Sequence, residues 1–227
     1  MEDGKVMNSL NVLYEDNHII VVNKPCNVLS QADNTNDSDM LSIVKNYIKV
    51  KYNKPGNVYL GLIHRLDRPV SGIMVFARTS KAASRLSEQV RNHLFSKKYV
   101  AVVNGIIKSD SGEFVDYLKK IKNNSTVVTN SSDGKRSELS YKVLARNYKR
   151  KLTLVEVSLK TGRHHQIRVQ FASRGFSLCG DQRYGNGVKM QLELCAYKLS
   201  FYHPITKELL CFAIDIPSYD NWTLFTM

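Results

Sequence analysis

Residues 61–79 read GLIHRLDRPVSGIMVFART, two apolar runs bracketing His64, Arg65, Asp67 and Arg68, with Pro69 closing the knot of charge. A carboxylate among guanidinium groups is ionised at neutral pH without a separate activating base, so Asp67 can act as a nucleophile or take a proton. The plain competitor is a turn aspartate, or an ion-pair partner of Arg65 or Arg68. A second cluster, TGRHHQIRVQ (161–170), carries Arg168, which stays charged and can hold a carboxylate through two parallel hydrogen bonds. His164 and His165 are adjacent, and on a helix they would point about 100° apart, poor geometry for one metal. GDQRYGNG (180–187) could cradle a phosphate through backbone N–H groups, although a plain turn is the better reading.

Other chemistries leave no trace. There is no G-x-x-x-x-G-K-[ST] loop, and Ser71 in PVSGI is not a G-x-S-x-G elbow. Cys26, Cys179, Cys195 and Cys211 form no C-x-x-C pair, so reduced, mostly buried thiols are expected rather than a zinc site. A metal-dependent hydrolase on Asp67, Asp181 and His64 is a distant option.

The elements that must position these residues can be read from periodicity. VLYEDNHIIVVNKP predicts two short strands around an Asp16–Asn17 turn. Met40, Ile43, Val44, Tyr47 and Ile48 recur at helical spacing behind a cap at Ser38 or Asp39. VYLGLI and GIMVFA read as strands. SKAASRLSEQVRNHLFSK (80–97) reads as a helix with an Ala83, Leu86, Val90, Leu94 stripe and a cap at Thr79 or Ser80. KKYVAVVNG, GEFVDYL, STVVTN, SELSYKVLA, KLTLVEVSL, LELCAYKLSFYHP and KELLCFAIDIP are strand-like. The expectation is an α+β domain over residues 10–227, with a mostly antiparallel mixed β-sheet core and flanking helices, behind a loose tail of residues 1–9.

The chain has 227 residues, 43% of them hydrophobic, and 33 Lys and Arg against 20 Asp and Glu give a net charge of +13. A polyanionic partner suits that charge. No apolar run approaches the roughly 18 residues of a membrane span, and MEDGKVMNSL is unlike a secretion signal, so a cytoplasmic location is the default. A monomer is likewise the default.

HRLDRPVSG, KKYVAVVNG, TGRHHQIRV and GDQRYG, in that order, resemble the RluA-type RNA pseudouridine synthases. LYEDNHIIVVNKPCNVLSQ and LSFYHPITKELLCFAIDIP resemble that family's first segment and closing strands, and the likeness runs from about Leu10 to Pro217. The resemblance implies isomerisation of uridine in rRNA or tRNA to its C-glycoside, with no cofactor and no metal, since atoms are only rearranged. It implies that Asp67 is the catalytic aspartate, acting at ribose C1′ or at the uracil ring, and that Arg168 pairs with it. Tyr99 then lies against the target uracil, Ile167 forms the other apolar wall, and Arg65 fills the hole left by the extruded base. His64 belongs beside the substrate or holds the loop. Lys97, Lys98, Lys119, Lys120, Lys149 and Arg150 are candidate phosphate contacts. Val70 and His164 stand where threonine is common, and Gln170 where histidine is frequent. These departures keep open the alternative of a catalytically inactive RNA-binding module on the same fold. Relatives often carry a small N-terminal RNA-binding domain; this chain opens almost directly on the catalytic segment, so the catalytic domain is expected to grip RNA alone.

Overall fold

A computed structural model describes residues 10–35, 37–122, 124–128, 131–185, 187 and 189–225, and the expected tail at 1–9 lies outside them. In chain order the elements are β1 (Asn11–Glu15), β2 (Ile19–Lys24), α1 (Met40–Lys51), β3 (Gly61–Leu62), β4 (Ser71–Ala77), α2 (Ser80–Arg91) and β5 (Ser96–Asn104). They continue as β6 (Ser111–Ile121), β7 (Asn124–Val128), β8 (Lys135–Asn147), β9 (Leu152–Leu159), α3 (Gln166–Ala172), β10 (Leu194–Tyr202) and β11 (Leu209–Ala213), then a 3-10 turn, Asp220–Phe225. Two compact units result: Met1–Ser96 with Lys198–Ile214, and Lys97–Tyr197 with Asp215–Met227. Both are antiparallel strands with few helices, the α+β class the sequence predicts.

In the first unit β1 turns into β2 because the Asp16 carboxylate accepts the His18 and Ile19 N–H groups, both at 2.7 Å. β2 pairs antiparallel with β4, Ile19 opposite Ala77 and Lys24 opposite Gly72. Ile19, Val21, Ile73 and Val75 pack with Ala82 and Leu86 of α2 and with Leu199 and Phe201 of β10. The alternate residues Ile20, Val22, Met74 and Phe76 are equally buried. Both faces of β2 and β4 are therefore covered, which is why they read as continuous apolar runs. Asp39 caps α1 through Ser42 N, and Thr79 caps α2 through Ala82 N.

α2 is shorter than predicted. It stops at Arg91; His93 takes a left-handed φ of 56° and Leu94, placed on the core stripe from sequence, is 48% exposed. The residues after it feed β5 instead of another helical turn. Only Gly61–Leu62 of VYLGLI pairs as a strand.

The second unit is a meander-like sheet in the order β5-β9-β8-β6-β7, each pair antiparallel. α3 packs on it through Phe171, whose ring meets Phe114 of β6 edge-on with centroids 5.0 Å apart. Within this unit the buried Glu193 accepts from Asn221 N (2.8 Å) and Asn221 Nδ2 (3.3 Å), fastening the C-terminal 3-10 turn. Burial pushes its carboxyl up from 4.5 to about 7, against the Asn221 hydrogen bonds that lower it. Between those two values the folded state binds more protons than the unfolded chain, so this group's contribution to stability is complete at low pH and lost as pH rises through 7. Glu193→Gln removes that component. Relative to wild type its unfolding free energy should rise by about 1–3 kcal/mol between pH 5 and pH 8; a pH-independent difference in urea denaturation would contradict this.

Candidate active site

In the first unit, His64, Arg65 and Asp67 lie on the irregular segment between β3 and β4. Val70 N donates to Asp67 O at 3.0 Å, closing a turn that leaves Asp67 half-buried and Arg65 exposed. Val70 itself is buried, so the valine in place of a hydroxyl residue is absorbed by core packing. The turn is clamped from behind. Ser30 Oγ donates to Leu66 O (2.7 Å) and accepts from Leu66 N (3.0 Å). Lys24 Nζ donates to Pro25 O, Val28 O and Arg68 O at 2.9, 2.6 and 3.1 Å. Arg68 is held on the outer side by Asp37 at 2.7 Å.

Lys24 was not singled out from sequence, yet it is fully buried. Its desolvation lowers the ammonium to about 8, with the nearby Cys26 and Asp67 pulling the other way. A cation facing three carbonyls fixes where the Asp67 turn can sit. The signal was a lysine inside an apolar strand run, IIVVNKP, which is costly unless its charge has work to do. His64 Nε2 accepts from Val75 N at 3.3 Å and its ring meets Phe95 edge-on.

In the second unit, Tyr99 lies on β5 opposite Val157 of β9 and is buried. Strand alternation puts Lys97 on its face and Lys98 on the other. Burial lowers the Lys97 ammonium to about 8. Lys98 pairs with Glu156 at 2.8 Å, which also receives the Tyr197 hydroxyl. Lys119 and Lys120 sit on β6 opposite Thr126 and Ser125 of β7, on alternate faces. Lys149 and Arg150 lie exposed in the β8–β9 turn.

Arg168 and Ile167 are buried on α3. Within its own unit Arg168 holds a carboxylate that the sequence reading did not name, Asp181. Nε donates to Asp181 Oδ2 at 2.8 Å and Nη2 to Oδ1 at 2.7 Å, a buried fork-to-fork pair. Burial alone would raise the Asp181 carboxyl, but the Arg168 hydrogen bond and charge, with the Arg183 and Tyr184 N–H groups, hold it below the usual range. Those N–H groups both reach Asp181 Oδ1, at 3.0 and 3.1 Å. The N–H groups of the glycine-rich loop thus cradle the loop's own carboxylate instead of a phosphate. Gly180 and Gly185 permit this: a Cβ would lie 2.1 Å from Gln191 O at Gly180, where φ is +72°, and 2.4 Å from Asp181 O at Gly185.

The two histidines require a correction. His165 precedes the helix with a left-handed φ of 52°, so the His164 and His165 rings stack with centroids 3.7 Å apart instead of diverging. His164 Nδ1 meets Ser125 Oγ (3.0 Å), and His165 Nδ1 meets the Tyr184 hydroxyl (2.8 Å). Gln166 orders the approach to α3, accepting from Thr161 Oγ1 (2.8 Å) and Arg163 N (3.0 Å) and donating to Glu138 O (3.0 Å). Gln170 donates to Asp116 at 2.6 Å, a structural role that a histidine is not needed for. Among the described residues no group of three or more His, Cys, Asp or Glu is placed to hold a metal, and no helix is long and apolar enough to cross a membrane.

A family model described as RNA pseudouridylate synthase matches residues 18–173. The chain is 34% identical over 212 residues to an uncharacterized RNA pseudouridine synthase, YhcT, of Bacillus subtilis, covering 92% of this chain and 69% of that protein. It is 30% identical to the ribosomal large subunit pseudouridine synthase D of Zymomonas mobilis, covering 96% and 72%. The fold matches that of human RNA pseudouridylate synthase domain containing 4 with a TM-score of 0.81 at 20% identity, over 95% of this chain and 93% of that one. The chain therefore belongs to the RNA pseudouridylate synthase family, isomerases that act on RNA.

Proposed function

We propose that this chain converts a specific uridine of structured RNA, ribosomal or transfer, to pseudouridine, with residues 10–227 as the catalytic domain of a cytoplasmic monomer. The C1′–N1 bond breaks, the uracil turns, C1′ joins C5, the C5 proton leaves, and the freed N1 takes up a proton. Asp67 supplies the carboxylate for this exchange, at C1′ or on the ring, with Tyr99 and Arg168 as its catalytic partners. Tyr99 offers a stacking face, with Ile167 as a second apolar surface, and its phenol can carry the C5 proton. Extrusion of the target base is required because the reacting atoms are closed off within stacked RNA, and Arg65, exposed beside the turn, fills the gap.

The observation that carries the reading is the Asp67 turn: a half-exposed carboxylate held from behind by Ser30 and the buried Lys24. Relatives named for the large ribosomal subunit favour rRNA. The test is tritium release from 5-tritiated uridine RNA taken from a strain lacking the gene, with position-resolved pseudouridine mapping. Release with one restored position supports the proposal. RNA that binds without release would instead mean a binding module.

A further inference from the structure

The β8–β9 turn is built unlike the other basic stretches. Four consecutive residues, Tyr148, Lys149, Arg150 and Lys151, are exposed, and Tyr148 at 72% is the most exposed large hydrophobic side chain among the described residues. Among the described residues none makes a hydrogen bond or ion pair to their side chains. Several other cations of this unit are answered by acids: Lys98 by Glu156, Arg136 and Lys160 by Glu138, Arg146 by Asp110, Arg174 by Asp116. Here three cations flank one aromatic ring with no carboxylate among them.

The base of the turn is firmly fixed. Arg150 N donates to Asn147 Oδ1 at 3.0 Å, Gly105 N donates to Lys151 O at 2.7 Å, and Arg146 is tied to Ile107 O, Lys108 O and Asp110. Little ordering is therefore left to oppose binding at the tip. The register also fixes its reach. Tyr99 faces Val157 and Asn104 faces Leu152, so five residues of β9 separate the Tyr99 row from the turn. At 3.3–3.4 Å per residue that is about 17 Å, roughly five base-pair rises. The tip is thus too far from the Tyr99 row to touch the same nucleotide.

We propose that this tip is a second RNA contact, at which Tyr148 stacks on an unpaired base flanking the target site while Lys149, Arg150 and Lys151 neutralise the adjoining phosphates. An exposed ring set among cations has the composition of a single-strand platform, where stacking supplies affinity and the backbone supplies charge. This rests on the reading of the chain as an enzyme that works on RNA.

The test uses the full chain and two probes of equal length, a fluorescein-labelled oligouridylate and an RNA duplex, with tritium release by the wild type run alongside. Tyr148→Ala should weaken oligouridylate binding about 5- to 150-fold, leave the salt slope unchanged, and affect the duplex much less. Tyr148→Trp should keep the affinity and report the base by fluorescence quenching. Lys149→Gln with Arg150→Gln and Lys151→Asn should reduce the log–log salt slope by about 2; asparagine tolerates the left-handed φ of 54° at position 151. Oligouridylate binding by Tyr148→Ala within twofold of wild type, or equal losses on the duplex, overturns the proposal. So does tip-dependent binding of phosphatidylserine vesicles with none of RNA. If the wild type releases no tritium but the tip effects hold, the isomerase reading fails and the RNA contact stands.

Discussion

Asp67→Asn should fold, bind RNA with near wild-type affinity, and lose tritium release by at least about a thousandfold, more than ~4 kcal/mol of transition-state stabilisation. The amide matches the carboxylate in shape, so the turn closed by Val70 N and Asp67 O is kept. What disappears is the negative charge that a nucleophile or proton acceptor requires. A second readout separates chemistry from misfolding. Asp67 raises the Lys24 ammonium against the burial that lowers it, so the variant should show Lys24 titrating below its wild-type value of about 8, visible by NMR of the Nζ. Retention of more than a tenth of wild-type turnover would remove Asp67 from the mechanism.

Arg168→Met should be the most destabilising single change at the site. It strands the Asp181 carboxylate, whose side chain is 0% exposed, without its guanidinium, and breaking a buried pair from one side costs about 3–5 kcal/mol. Asp181→Asn should cost less, because the amide still accepts from the Arg183 and Tyr184 N–H groups. The double change Arg168→Met with Asp181→Asn should cost clearly less than the sum of the single changes, since neither charge is then left alone. Urea denaturation of the four proteins closes the cycle; additive losses would mean the pair is not a unit. Arg168→Lys keeps the charge but not the fork, and should recover part of the stability at most.

What the sequence disclosed, and what it withheld, follows the range of the interactions. Strands with strong local patterns, such as IIVVNK and GIMVFA, stand where periodicity puts them, as do the caps at Asp39 and Thr79. The candidate residues of HRLD and HQIR could be put forward from sequence because their types and order are distinctive. The Arg168–Asp181 pair was not, because its members are 13 positions apart and meet only after a helix and a loop fold back. The helical stripe through Leu94 failed because a left-handed residue at His93 redirects the chain, and a histidine there carries no local warning. The same cause defeated the expectation for His164 and His165: ring directions were inferred from helical geometry, and His165 lies just outside the helix.

Gly180 and Gly185 carry a consequence for mutational tolerance. Even the smallest side chain would collide with backbone at either place, 2.1 and 2.4 Å from carbonyl oxygens that cannot swing aside. A saturation library screened only for soluble expression should therefore be purged of every other codon at these two positions. Depletion there would look like selection for catalysis while reporting nothing but the space between two peptide segments.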